Sequence, residues 1–114
     1  MLKKIIILVG LAASLMASSA WAFNAKYCLR VTSPSGWGGK LALENTCRTD
    51  IEAAWCISRA GSSMCSRLDN SWTIHPGVEM PLDAKQGDTV IFDGCEGANT
   101  IDHNKNNLYS VGCK

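Results

Sequence analysis

Six cysteines limit the folds open to this 114-residue sequence more than any other feature. An even number of cysteines in a short exported chain predicts a framework of disulfides. Metal binding is the alternative, but no C-x-x-C pair is present and neither histidine stands at ligand spacing from a cysteine. We therefore predict disulfides, no metal site and no cofactor. The predicted disulfide cysteines are Cys28, Cys47, Cys56, Cys65, Cys95 and Cys113.

Cysteine spacing narrows the pairings. If Cys47 and Cys56 flank a hairpin that turns at 48–50, they lie about 17 Å apart along the strand. A disulfide needs Cα atoms within about 7 Å, so this pair is excluded. A Cys56–Cys65 bridge would close the polar loop 58–64, and we predict it. For the remaining four we expect one of Cys28 and Cys47 to pair with Cys113 and the other with Cys95, and the choice stays open.

The N-terminus carries the pattern of an export signal. Lys3 and Lys4 precede an apolar run at 5–17, and the small-residue triplet Ala20-Trp21-Ala22 follows. A positive end, a short apolar stretch and an A-x-A site are typical of a cleaved secretory leader, whereas a membrane-spanning helix needs about 20 apolar residues. We predict a signal peptide at 1–22 and one domain at 23–114 in the periplasm or outside the cell. No second run is long enough to span a membrane after cleavage.

Net charge argues against nucleic acid as a partner. The sequence has 11 basic and 10 acidic residues, and loss of Lys3 and Lys4 with the leader leaves nine basic residues and a net charge of −1. Phosphate binding requires clustered lysine and arginine, and none is found. We interpret the scattered charges as solvated surface and expect a protein or a carbohydrate as the partner.

Apolar residues alternate with polar ones in several short segments, which predicts strands. We predict that 40–47 and 51–57 form a β-hairpin. A short helix is the alternative for 51–57, but β-branched and aromatic residues favour the strand. Pro81 limits 78–82 to an edge strand. The fold class we predict is mostly β, a small disulfide-stabilised β-sandwich or barrel.

The segment 45–54, Asn-Thr-Cys-Arg-Thr-Asp-Ile-Glu-Ala-Ala, resembles the N-terminal strand pair of thaumatin-like proteins, in which an N-x-C turn precedes a strand with Ala-Ala. The segment 71–74, with Pro76-Gly77 after it, is similar to the next strand of that family. The resemblance covers about 16 positions. This chain is much shorter and lacks the family's further cysteines and acidic-cleft segments. The resemblance implies a β-sandwich and transfers no functional residue.

Trp37 is the first candidate binding residue, because Gly36 and Gly38 beside it have no side chains to bury it. An exposed tryptophan offers a flat apolar face to a sugar ring or a partner pocket. The alternative is that Trp37 folds back as a plug over the core. Trp55 and Trp72 fall in apolar strand registers, and we expect both in the core.

Catalysis is a weaker interpretation. His75 and His103 could serve as acid and base of a small secreted hydrolase, but no catalytic motif accompanies them. The carboxylates of 83–96 lack the spacing of a calcium loop. We therefore predict an exported, non-catalytic binding domain, with a small hydrolase or an exported toxin or inhibitor as alternatives.

Overall fold

A computed structural model describes residues 23–59 and 65–114. The predicted leader at 1–22 and residues 60–64 lie outside the described part. Two single-turn 3₁₀ helices, Lys26–Cys28 and His103–Lys105, accompany the strands. The strands are β1 (Leu29–Thr32), β2 (Lys40–Asn45), β3 (Ile51–Ser58), β4 (Asn70–Ile74), β5 (Glu79–Lys85), β6 (Thr89–Glu96), β7 (Ile101–Asp102) and β8 (Gly112–Cys113).

Two three-stranded antiparallel sheets form a sandwich. One sheet has the order β1-β2-β5 and the other β4-β3-β6, and β7 and β8 form a small pair of their own. The core between the sheets contains Leu43 and Leu82 from the first sheet and Ile51, Ala53 and Ile74 from the second, all at most 1% exposed. The prediction of a small, mostly β, disulfide-stabilised domain is confirmed.

The predicted hairpin of β2 and β3 is wrong, because these strands belong to different sheets. The segment between them crosses the sandwich and is held by the buried side chain of Asn45. Its Nδ2 donates to the carbonyls of Thr49 and Ile74, each at 2.8 Å, and its Oδ1 accepts from the Cys47 N–H at 2.9 Å. The short polar connection therefore crosses between the sheets and does not form a hairpin turn. The buried Asn45 amide supplies hydrogen-bond partners for the backbone at this crossing.

The central strand β3 is covered on both faces. Ile51 and Ala53 face the other sheet, whereas Ala54 and Cys56 pack against Leu68 and the C-terminal segment around Ile101 and Val111. The strand prediction for 51–57 is confirmed and the helical alternative is wrong. The C-terminal segment acts as a third layer that shields the outer face of the sheet.

Each disulfide joins neighbouring cysteines in the sequence. The bridges are Cys28–Cys47, Cys56–Cys65 and Cys95–Cys113, with Cα–Cα distances of 5.2, 6.2 and 5.6 Å. The predicted Cys56–Cys65 bridge is confirmed. The expectation that Cys28 and Cys47 pair with Cys95 and Cys113 is wrong, because antiparallel pairing of β1 with β2 places Leu29 opposite Asn45 and brings the flanking Cys28 and Cys47 together.

Two acidic side chains that we expected on the surface are buried. Asp93 is 2% exposed, and its carboxylate accepts hydrogen bonds from Asn24 Nδ2 and from the N–H groups of Gly94 and Val111. Glu52 is 7% exposed, and its Oε1 accepts from the Ile101 N–H at 2.7 Å. These carboxylates connect both ends of the described domain to the central sheet.

Candidate functional site

The predicted site residue Trp37 lies in the connection between β1 and β2. The glycines around it have positive φ angles: 85° at Gly36, 63° at Gly38 and 86° at Gly39. Residues that have a side chain rarely adopt this backbone conformation, so glycine is needed at these positions. The Trp37 N–H donates to the Pro34 carbonyl at 3.2 Å, and the indole is 37% exposed. Trp37 is therefore neither a buried plug nor fully solvated.

A shallow polar cleft of about 240 Å³ adjoins this loop at Gly38. Lys40 on β2 and Lys85 on β5 line the cleft and are direct cross-strand partners. Like charges directly opposite each other destabilise a sheet, but Asp83 and Asp88 line the same cleft and supply negative charge beside the lysines. Asp83 also bonds Arg59 at 3.1 Å.

Trp72 is not in the core, and the expectation for it is wrong. It is 66% exposed although its cross-strand partner, Ala53, is fully buried between the sheets. Partners across two strands share a face, so the Trp72 ring points to the inner side of its sheet. It remains exposed because β4 is the outermost strand of its sheet. Trp55, which we also expected in the core, is half-buried and packs against the core.

Grooves border Trp72 on either side of the strand. One, of about 330 Å³, is lined by Trp55, Asn70, Ser71 and Met80 together with Trp72. The other, of about 390 Å³, is lined by Trp72 and by polar groups. Those polar residues are Glu52, Ser71, Thr73, His75 and Asn99. Trp72 is thus a ridge between an apolar and a polar depression.

Within the described residues, the outer edge of β4 has none of the usual protection against pairing. Exposed edge strands are normally guarded by charges, proline or a covering segment, because their unpaired N–H and C=O groups can accept another strand. The five residues of β4, Asn-Ser-Trp-Thr-Ile, include neither a charge nor a proline. Within 23–59 and 65–114, no strand pairs with its outer side. β4 is therefore open to an extended segment.

The other three edge strands of the two three-stranded sheets each carry some protection. β5 contains Pro81 between charged residues, and β1 contains the exposed Arg30. The C-terminal part of β6 is covered by the N-terminal segment, where the Ala25 N–H donates to the Gly94 carbonyl at 2.7 Å and the Glu96 N–H to the Phe23 carbonyl at 2.9 Å. Among the edge strands of these two sheets, and within the described residues, β4 is the one without such protection.

The two histidines lie on separate elements. His75 follows β4, and its Nδ1 is 2.9 Å from Asp50 Oδ1. His103 begins the second 3₁₀ helix, where the Asp102 carboxylate accepts from the Asn104 N–H. Each histidine is exposed and has a different aspartate nearby. The hydrolase alternative gains no support from these positions.

The comparisons with known proteins give no match: no protein-family model fits the chain, and neither curated proteins nor solved structures show significant similarity to it. The resemblance to thaumatin-like proteins stays a prediction. In the described part of the chain, no helix is long and apolar enough to cross a membrane. Three disulfides in a small domain are compatible with an oxidising compartment.

Proposed function

We propose that this chain is an exported, non-catalytic interaction domain that binds an extended protein segment along the free edge of β4. The observation that carries the proposal is Trp72, 66% exposed in the middle of an uncharged edge strand. The predicted leader and the three disulfides support export to an oxidising compartment. Strand addition is a recurrent mode of recognition that uses an open sheet edge and pockets for alternate side chains.

Different groups around β4 would make different contributions to binding. The outer backbone groups of the strand would supply main-chain hydrogen bonds, which are indifferent to sequence. Trp72 would anchor one side chain of the partner, since exposed tryptophans at interface centres commonly contribute about 2 kcal/mol or more. The apolar groove at Met80 and the polar groove at Thr73 lie on either side of Trp72 and would select the partner's side chains.

The edge is held in place before any partner arrives. Asn45 bonds the Ile74 carbonyl at one end of β4, and Asn70 Nδ2 donates to the Trp55 carbonyl at 3.3 Å at the other end. A preorganised edge loses little conformational entropy on binding, which favours affinity.

Trp37 supports a second candidate, the binding of a carbohydrate. The partly exposed Trp37 could stack on a sugar ring, and the lysines and aspartates of the adjoining cleft could bond its hydroxyls. The predicted site of Trp37, Gly36 and Gly38 belongs to this candidate.

Selection of peptides tests the first candidate. A library of random 12-residue peptides displayed on phage is selected against the immobilised domain, and recovered peptides are measured by titration. We expect Trp72→Lys to weaken them by about 30-fold or more, because it removes the anchor and places a charge on the edge. Tyr109→Lys is the matched control, since Tyr109 is also 66% exposed and does not line either groove beside Trp72.

The same peptides distinguish the two surfaces. Binding that survives Trp72→Lys and is lost in Trp37→Ala would overturn the assignment to β4 and favour the Trp37 loop. Peptides whose affinity is unchanged by both substitutions would refute both sites.

A further inference from the structure

β4 is centred on Trp72 and can pair antiparallel with a second copy of itself. We propose that the strand that adds to β4 is β4 of a second copy of this chain. The two strands would run antiparallel, and the two-fold axis would pass between Trp72 and its copy. This inference rests on the proposed use of the β4 edge and names the partner of that edge. The two sheets would join into one of six strands, in the order β6-β3-β4-β4-β3-β6.

Symmetry leaves few registers to choose from. Partners on antiparallel strands share a face, and successive residues point to opposite faces. The two-fold axis must therefore place one residue directly opposite its own copy, and not opposite the copy of a neighbouring residue. Trp72 is the central residue of the five in β4. Only an axis at this residue pairs the whole strand with its copy, Asn70 opposite Ile74 and Ser71 opposite Thr73. An axis through Ser71 or Thr73 would leave one end of each strand unpaired.

The side chains at the two ends of β4 bring no like charges together in this register. Asp69 precedes the strand and His75 follows it, and the two-fold axis places Asp69 of each copy opposite His75 of the other. The His75 ring meets Asp50 through Nδ1, so its second ring nitrogen is directed elsewhere. No like-charged pair arises along the joined strands. Neither end of the interface therefore opposes association by like-charge repulsion.

The centre of the interface would bury the exposed indole. Trp72 of one copy stands opposite Trp72 of the other, and cross-strand partners have Cβ atoms about 4.5–5.5 Å apart. Aromatic pairs at this distance are favourable beyond the area they bury. The Ser71 and Thr73 side chains meet on the opposite face, where hydroxyls can exchange hydrogen bonds. The arrangement accounts for an apolar residue that a lone domain leaves in solvent.

Sedimentation velocity over a range of concentrations tests the association. We expect wild type and Tyr109→Lys to shift from monomer to dimer as concentration rises. Trp72→Lys, which would oppose two lysines at the axis, should raise the dissociation constant of the dimer by about 100-fold or more. Wild type that stays monomeric throughout, or a dimer indifferent to Trp72→Lys, would overturn the inference.

Cysteine pairing tests the register and does not depend on Trp72→Lys folding. Ser71→Cys and Thr73→Cys are prepared separately, with circular dichroism to confirm the fold, and oxidised alone and as a mixture. In the proposed register each variant alone gives no cross-linked dimer, while the mixture does, because residue 71 faces residue 73. Cross-linking of Ser71→Cys with itself would place the axis elsewhere and refute the register.

The outcomes also separate this inference from the proposed function. If the domain stays monomeric and the selected peptides still need Trp72 in order to bind, self-association is overturned and strand addition is not. A monomeric domain whose peptides ignore Trp72 overturns both.

Discussion

Replacing Asp93 by asparagine should destabilise the domain far more than an isosteric change normally does. The Asp93 carboxylate accepts from three donors, Asn24 Nδ2 at 2.8 Å and Gly94 N–H at 2.9 Å on Oδ1, and Val111 N–H at 2.9 Å on Oδ2. An asparagine amide has one oxygen, so its NH₂ group must face a donor whichever way it is turned. At least one buried N–H then loses its partner.

The magnitude follows from these contacts. A buried donor without a partner costs about 1–3 kcal/mol, and the surviving bonds weaken because a hydrogen bond to a charged group is worth about 1.5–3 kcal/mol against about 1 for a neutral one. We therefore expect the free energy of unfolding to fall by about 2–4 kcal/mol. In a domain of this size each kcal/mol shifts the thermal midpoint by about 4–8 °C, so the midpoint should fall by about 8–32 °C.

Thermal denaturation followed by circular dichroism, with the disulfides intact, measures the change. Asp83→Asn is the control, because the Asp83 side chain is 97% exposed, and its midpoint should match wild type. Hydrogen exchange adds a local readout, since the Val111 amide should exchange faster in Asp93→Asn. If Asp93→Asn melted with the control and the Val111 amide kept its protection, the network would not hold the domain as argued.

Other substitutions test different contacts. Asn45→Ala removes three hydrogen bonds at the crossover and should lower the free energy of unfolding by about 2–4 kcal/mol in urea titration; a loss under about 0.5 kcal/mol would contradict it. Gly94→Ala places a Cβ 2.8 Å from Leu29 Cδ1 and should cost about 1–3 kcal/mol by overpacking, unless Leu29 moves away freely. The double variant Cys56→Ser/Cys65→Ser should lose about 2–4 kcal/mol, and peptide mapping of the remaining bridges should show the other two pairs unchanged.

The β fold was predictable because strand alternation and cysteine number are local patterns. Strand patterns at 40–47, 51–57 and 78–82 located β2, β3 and β5, and the short span between Cys56 and Cys65 made their bridge foreseeable. The sheet to which each strand belongs is not local. β2 and β3 look like a hairpin in sequence, since nothing in the five residues between them marks a crossover. The residue that holds the crossover, Asn45 at the end of β2, acts through the distant Ile74 carbonyl.

The candidate site was missed for the same reason. Trp72 and Trp55 each lie in the apolar register of a predicted strand, but β4 lies at the border of its sheet and β3 at the centre. Position in the sheet, not the local pattern, decides that Trp72 is exposed while Trp55 is half-buried. The lack of charge in 70–74 was the available signal, because an edge strand without guards is unusual, but it has meaning only once the strand is known to be an edge.

The order of the three disulfides bears on how the domain matures. Every bridge joins a cysteine to the next one along the chain, with separations of 19, 9 and 18 residues. A chain delivered N-terminus first into an oxidising compartment presents Cys28 and then Cys47 before any other thiol arrives. An oxidase that links thiols in order of arrival would produce the native set directly, so oxidative folding of this domain should proceed without a disulfide isomerase.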